Sequence, residues 1–311
     1  MSRRSSSRFD AVDGLLLLNK PAGLTSNQAL QRVKRLLNAR KAGHTGSLDP
    51  AATGMLPLCF GEATKVCAFL LNADKTYRVT AKLGIATDTL DADGKETATA
   101  DVPELPREDW LAILEGFLGE SEQIPPMYSA LRQGGKRLYE LARKGETVER
   151  KPRPIRIDAI DLLEIAGTRL VFTVHCSKGT YIRTLVEDIA AKAGTVAHTA
   201  RLHRESVAEF QAEDMIELPR VEAAAEKSLA ALRDSLLPPD AALQTLPAVA
   251  LEEDAGRRFM AGQTVSAAQD GAANGLSRVY GGAGEFLGVG ELSDGSQVAP
   301  RRVFLTGEKN P

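Results

Sequence analysis

Cysteine is scarce in this chain. Cys59, Cys67 and Cys176 are the only three in 311 residues, and no two of them are spaced as CxxC. An odd number without that spacing suggests neither a disulfide framework nor a zinc site, and each lies in an apolar pattern suited to a small core residue. Long apolar runs are missing too. Leu15 to Leu18 falls far short of the roughly 18 residues that a membrane-spanning helix needs. The opening MSRRSSSRFDAVDG lacks the apolar segment of a secretory signal, so the expectation is a cytoplasmic protein with no membrane partner. There is no P-loop, dinucleotide fingerprint, HExxH or GxSxG. The aspartates of DTLDADG (Asp88, Asp91, Asp93) faintly suggest a calcium loop. The glycine is misplaced and no glutamate closes the loop, so that reading is rejected and no metal is expected.

The composition is that of a soluble globular protein, 43% hydrophobic and 26% charged. The length suits one large domain and a smaller one. A net charge of −2 hides a strong segregation. Between Gln28 and Leu48 stand Arg32, Lys34, Arg35, Arg40 and Lys41 with no acid. Arg132 to Arg156 carries nine basic residues against three glutamates, and Glu205 to Asp254 carries twelve acids against Arg220, Lys227 and Arg233. Phosphate binding depends on local field rather than net charge, so the two basic segments are candidate nucleic-acid surfaces; the alternative is a solvated face.

Ser26 can cap a helix whose stripe is Ala29, Leu30, Val33, Leu36 and Leu37, with Arg32 and Arg35 outward. A second stripe is Ala63, Val66, Cys67 and Leu70, and a third is Trp110, Ile113, Leu114 and Phe117. Lys75 to Gly84 alternates as a half-buried strand with Tyr77, Val79, Ala81 and Leu83 inward, and Arg169 to Cys176 does the same. Gln123 to Gly145 reads as a short strand around Met127 to Leu131, a Gly134-Gly135 turn and a helix. A Ser177-Lys178-Gly179 turn feeds a helix with Ile182, Leu185 and Ile189 at core spacing. The acidic segment reads as helical up to Pro238-Pro239. Strands and helices in this uneven order argue for an α+β fold with a mixed, largely antiparallel central sheet. The expected division is a disordered basic tail at 1–10, a large domain at 11–246 and a small β domain at 247–311.

The most informative stretch is Gly43 to Gly54, GHTGSLDPAATG. Pro50 pushes Asp49 into an extended conformation, and the small neighbours allow another molecule's backbone close approach. An ordinary Asp-Pro turn is the plain alternative. His44, flanked by glycine, is a candidate for ligand contact. Tyr77 reads either as a core aromatic or as a site residue. Tyr181 and Arg183 open a helix, where a cation opposes the dipole at a cost of some 0.3–1 kcal/mol that a carboxylate or a phosphate would offset.

Seven segments, in order, resemble the TruB family of bacterial tRNA pseudouridine-55 synthases: NKPAGLTS (19–26), AGHTGSLDPAATGMLP (42–57), GEATK (61–65), KTYRV (75–79), TDTLDADG (87–94), IPPMYSAL (124–131) and CSKGTYIRTL (176–185). The ending APRRVF resembles the family's small PUA-like domain. The resemblance implies isomerisation of the T-loop uridine of tRNA to pseudouridine with no cofactor, the T-arm as partner and no obligate protein partner; monomer is the default. It implies that Asp49 is the essential carboxylate, which can add covalently or stabilise charge at C1′, and that Arg183 pairs with it, with Asp91 sharing the network. Tyr77 would stack on the uracil and help remove the C5 proton, and His44 would fill the space of the flipped-out base. Tyr181, Leu202 and Lys20 would line the pocket, while Arg32, Arg35, Arg132 and Lys136 would hold phosphates. Two departures bear on RNA affinity: Arg132 stands where the family usually has lysine, and Leu202-His203-Arg204 replaces a basic pair after the pocket leucine. A non-catalytic RNA-binding protein and a synthase acting on another RNA are the competing readings.

Overall fold

The computed structural model describes residues 9–267 and 274–305. Its centre is a nine-stranded sheet whose strands run Ile216–Glu217, Gly14–Lys20, Thr53–Phe60, Ala197–Val207, Lys75–Leu83, Arg169–Cys176, Arg153–Ala166 and Gly119–Gln123, with Ala42–His44 paired onto Thr53–Phe60. Two of these contacts are parallel, Gly14–Lys20 with Ile216–Glu217 and Thr53–Phe60 with Ala197–Val207; the others are antiparallel. This is the expected mixed α+β architecture. The leucine run explains itself here. Leu16 and Leu18 face a core shared with Val33, Leu37 and the helices carrying Trp110 and Leu185, while Leu15 and Leu17 face a second core with Met55, Cys59, Leu243 and Phe304. A strand covered on both faces has no polar side to show.

The helix Ser26–Leu36 is capped by Thr25 rather than by Ser26: Thr25 Oγ1 accepts from the Gln28 amide at 3.1 Å, and Gln28 Oε1 accepts from the Thr25 amide at 2.8 Å. Two bonds from a Thr-x-x-Gln box outcompete one hydroxyl. Ser26 is freed for another task, described below. Met127–Leu131 forms no strand. The sheet instead takes up Gly119–Gln123 as its edge, and the Gly134-Gly135 turn joins a two-residue hairpin, Arg132–Gln133 with Lys136–Arg137. An edge strand reading GESEQ carries no apolar alternation to betray it. The acidic segment folds into the helices Leu218–Lys227 and Leu229–Arg233.

Beyond Pro247 a five-stranded sheet, in the order Ala248–Ala250, Gly275–Tyr280, Phe286–Ser293, Gln297–Val303 and Val265–Ser266, closes around Phe259, Val279 and Val298 with the helix Glu253–Met260. It is fastened to the large sheet. Phe304 enters the second core, Lys65 donates to the Val303 carbonyl at 2.7 Å, and the Leu305 amide donates to Glu62 at 2.9 Å. Of the tail expected to be disordered, residues 1–8 lie outside the described residues. Asp10 is held by Arg233 at 2.7 Å and by its backbone amide, which donates to the Asn38 carbonyl at 2.9 Å. No helix among the described residues is long and apolar enough to cross a membrane.

Candidate active site

Asp49 lies in the connection between Ala42–His44 and Thr53–Phe60, two strands that pair antiparallel. Its carbonyl accepts from the Ala52 amide at 3.1 Å, closing a turn, and its side chain stays 45% exposed at the floor of a cleft. The turn reading is therefore true of Asp49, whose side chain nonetheless lines the cleft. The loop is docked on its neighbours by buried polar groups. Ser26 Oγ accepts from the Leu48 amide at 2.8 Å and donates to the Leu48 carbonyl at 3.1 Å, tying the loop to the start of the first helix.

Arg183 stands in the first turn of the helix Ile182–Lys192 and is only 7% exposed. Its Nη2 lies 3.1 Å from Asp49 Oδ2 and donates to the Tyr128 carbonyl at 2.6 Å. Its Nη1 donates to the Thr89 carbonyl at 2.8 Å and lies 3.4 Å from Asp91 Oδ2. Two carboxylates and two carbonyls surround one guanidinium, which offsets the unfavourable dipole at that helix end. Asp91 is itself fixed, its Oδ1 accepting from the Thr89 hydroxyl at 2.5 Å and the Asp93 amide at 3.1 Å. Burial in the cleft pushes the Asp49 carboxyl upward, Arg183 pulls it down, and Asp91 pushes it up again.

The cleft has a volume of about 320 Å³, and Asp49, Tyr77, Tyr181, Arg183 and Leu202 all line it. Tyr77 projects from Lys75–Leu83 on the inward face and is 9% exposed; burial pushes its phenol upward. Leu202 reaches the same face because the strand Ala197–Val207 is irregular between Thr199 and Arg201, which brings Leu202 opposite Val79 and Arg204 opposite Tyr77. Tyr181 is the residue before the helix, and its backbone is gripped from both sides by buried Gln123: the Tyr181 amide donates to Oε1 at 2.7 Å, and Nε2 donates to the Tyr181 carbonyl at 3.1 Å.

Three expectations need correction. Lys20 is not on the cleft wall. It is fully buried behind the loop, donating to the carbonyls of Pro21 and Leu24 at 2.8 Å each and of Pro50 at 3.3 Å, and burial lowers its pKa to about 8 despite the opposing charge of Asp49. Arg204, expected among residues that tune RNA affinity, is 1% exposed. Arg32 is paired with Glu222 of the acidic helix, so it is not a free cation. His44, expected to fill the space of the flipped-out base, sits half-buried at the end of Ala42–His44, its Nδ1 without a partner among the described residues and its pKa lowered by burial and by Arg204. Arg35, Arg132 and Lys136 are exposed, as expected of phosphate-binding groups. Lys75, Gln123, Ser26 and Arg204 were not singled out for the site. Lys75 had a signal, since it shares the inward face of its strand with Tyr77.

A larger hollow of about 530 Å³, lined by Phe69, Asp74, His175 and Glu209 among others, adjoins the end of the helix Cys67–Asn72 and contains none of the expected site residues. Asp74, Asp158 and His175 are the only described residues grouped closely enough to hold a metal ion. Arg156 already bonds both aspartates, at 2.8 and 2.7 Å, and His175 Nδ1 is 2.9 Å from the Thr76 hydroxyl, so each of the three already has a partner within the protein.

The chain matches known proteins along most of its length. The profile described as "TruB family pseudouridylate synthase (N terminal domain)" matches residues 34–182, that of a "tRNA pseudouridylate synthase B C-terminal domain" matches 183–244, and that of "Pseudouridine synthase II TruB, C-terminal" matches 247–304. The chain is 48% identical over 301 residues to the tRNA pseudouridine synthase B of Nitrosococcus oceani, covering 96% of this chain and 97% of that one. It is 49% identical over 292 residues to its namesake in Dechloromonas aromatica, covering 94% and 95%. Among solved structures, the crystal structure of a Cbf5-Nop10-Gar1 complex contains a chain that matches with a TM-score of 0.74 at 25% identity, over 97% of this chain and 88% of that one. The chain therefore belongs to the TruB family of pseudouridylate synthases.

Proposed function

We propose that this enzyme converts the uridine at position 55 in the T loop of tRNA to pseudouridine, with Asp49 as its essential residue. The observation that carries the reading is one carboxyl group in a cleft of about 320 Å³, 3.1 Å from a buried guanidinium and within the same walls as Tyr77. The relatives' printed name, tRNA pseudouridine synthase B, supports tRNA as the substrate class. The reaction must break the C1′–N1 bond, turn the uracil and rejoin it through C5 without releasing it. A carboxylate serves such a step by adding to the sugar or base, or by stabilising charge at C1′. Tyr77, lining the same cleft, is suited to stack on the base and to help remove the C5 proton. A base inside this cleft has left its stack, which makes extrusion part of the proposal. Tyr181 and Leu202 would bound the base, and Arg35, Arg132 and Lys136 would hold phosphates. The division into a catalytic part, 11–246, and a PUA-like RNA-binding part, 247–311, belongs to the same reading.

The test is Asp49→Asn assayed on T-arm RNA. Pseudouridine formation is expected to vanish while RNA binding stays within about twofold of wild type. Turnover retained by this variant would refute the assignment, and mapping pseudouridines in total RNA would reveal a different target.

A further inference from the structure

The Asp49 loop is closed by a side chain with no assigned role. Arg204 is buried to 1% exposure, Nε donating to the Met55 carbonyl at 2.7 Å and Nη2 to the Gly46 carbonyl at 3.0 Å. Those two carbonyls lie on either side of Asp49, so one planar group spans the mouth of the loop. In the sheet, Arg204 stands opposite Gly54 on one neighbouring strand and opposite Tyr77 on the other. Strand and loop meet so closely there that a Cβ on Gly54, whose φ is +100°, would lie 2.2 Å from the Arg204 carbonyl oxygen. Arg204 also lines the cleft beside Tyr77.

We propose that Arg204 is a positioning residue that clamps the Asp49 loop through Gly46 and Met55 and keeps Asp49 in register with Tyr77 across the cleft. The inference rests on the reading of Asp49 as the essential carboxylate. With Nε and Nη2 committed to the loop's backbone and the rest of its buried guanidinium facing Tyr77, Arg204 is not placed to grip a phosphate, so its contribution belongs to the chemical step and not to RNA affinity. A lysine could not replace it, because an ammonium lacks the fork that reaches both carbonyls at once.

The experiment compares full-length Arg204→Lys and Arg204→Gln with wild type on T-arm RNA, alongside Asp49→Asn. Single-turnover rate, RNA Kd, thermal unfolding and amide exchange of Thr45 and Ala52 are read for each. A displacement of Asp49 by an ångström is expected to lower the rate about a hundredfold in Arg204→Gln, and at least about tenfold in Arg204→Lys, with Kd within about twofold. The two loop amides should exchange faster. A wild-type rate in Arg204→Lys, or a loss confined to Kd, overturns the proposal. If Arg204→Gln does not fold, Arg204→Lys, which keeps the buried charge, decides alone. If Asp49→Asn retains turnover, the reading of Asp49 fails, and unchanged exchange in the Arg204 variants would then separately refute the clamp.

Discussion

Two irregular segments border the same cleft and are built in opposite ways. The Asp49 loop is short, glycine-rich and held from behind by Ser26, Lys20 and Arg204, each bonded to its backbone at 2.7–3.3 Å. The stretch around the Arg132–Gln133 and Lys136–Arg137 hairpin leaves Arg132 and Lys136 in solvent, with no ion pair to any described residue. Both segments are served by cations, and the difference is what the cations face. Buried ones hold carbonyls still, so a carboxylate can be aimed within fractions of an ångström. Exposed ones keep their charge available, so they can adapt to a partner whose phosphates they meet only on binding.

The contrast can be broken most severely at Gly54. Gly54→Ala forces a Cβ against the Arg204 carbonyl at a backbone angle that disfavours side chains, and should cost roughly 4 kcal/mol or more, read as a collapse of thermal unfolding. Next comes Arg183→Lys. It keeps a charge beside Asp49 but cannot serve Tyr128, Thr89 and both aspartates, so kcat should fall on the order of a hundredfold with KM for T-arm RNA little changed. A smaller effect separates activity from stability by pH. Lys20 and Lys75 each have a folded pKa of about 8 against an ordinary 10.5, so the unfolded chain binds more protons between those values. Their contribution to stability is complete above 10.5 and is lost as the pH falls through about 8. Activity should move the other way, declining above about pH 8 as Lys20 loses a donor from the Pro21, Leu24 and Pro50 carbonyls. A kcat that rose alongside these lysines' stability contribution would show that the loop does not depend on that charge.

The mildest change lies on the exposed side. Arg132→Ala with Lys136→Ala should leave kcat alone, raise KM, and reduce the slope of log affinity against log salt by about 1 to 2. A fall in kcat there would erase the distinction between the two segments.

The strands around Tyr77 and Phe172 were legible because one face of each is apolar and the other polar, and the helix of Ile182 and Leu185 because its spacing is that of a buried stripe. The Asp49–Arg183 pairing was foreshadowed by a cation sitting where the helix dipole repels it. What composition concealed was the interior role of Lys20, Lys75 and Arg204. Cations are assigned to the surface by default; the carbonyls that justify burying Arg204 lie 149 and 158 residues away in the chain, while those on Lys75 come from the preceding five residues, whose fold over its ammonium no composition shows. The capping error was avoidable: Gln28 stands three residues after Thr25, a spacing that favours Thr25 over Ser26. Gln123 gave no sign at all, since nothing in its sequence neighbourhood points to the backbone of Tyr181.

The reach of those contacts bears on how the chain comes into being. Asp49 is made early in synthesis, but the groups that hold it arrive at Arg183 and Arg204, so no amino-terminal fragment that stops short of Arg204 can assemble the whole cleft. Such distant pairings form late and cooperatively. Competence to modify RNA thus becomes a property of the finished fold alone, and a half-made chain has no aimed carboxylate to misuse.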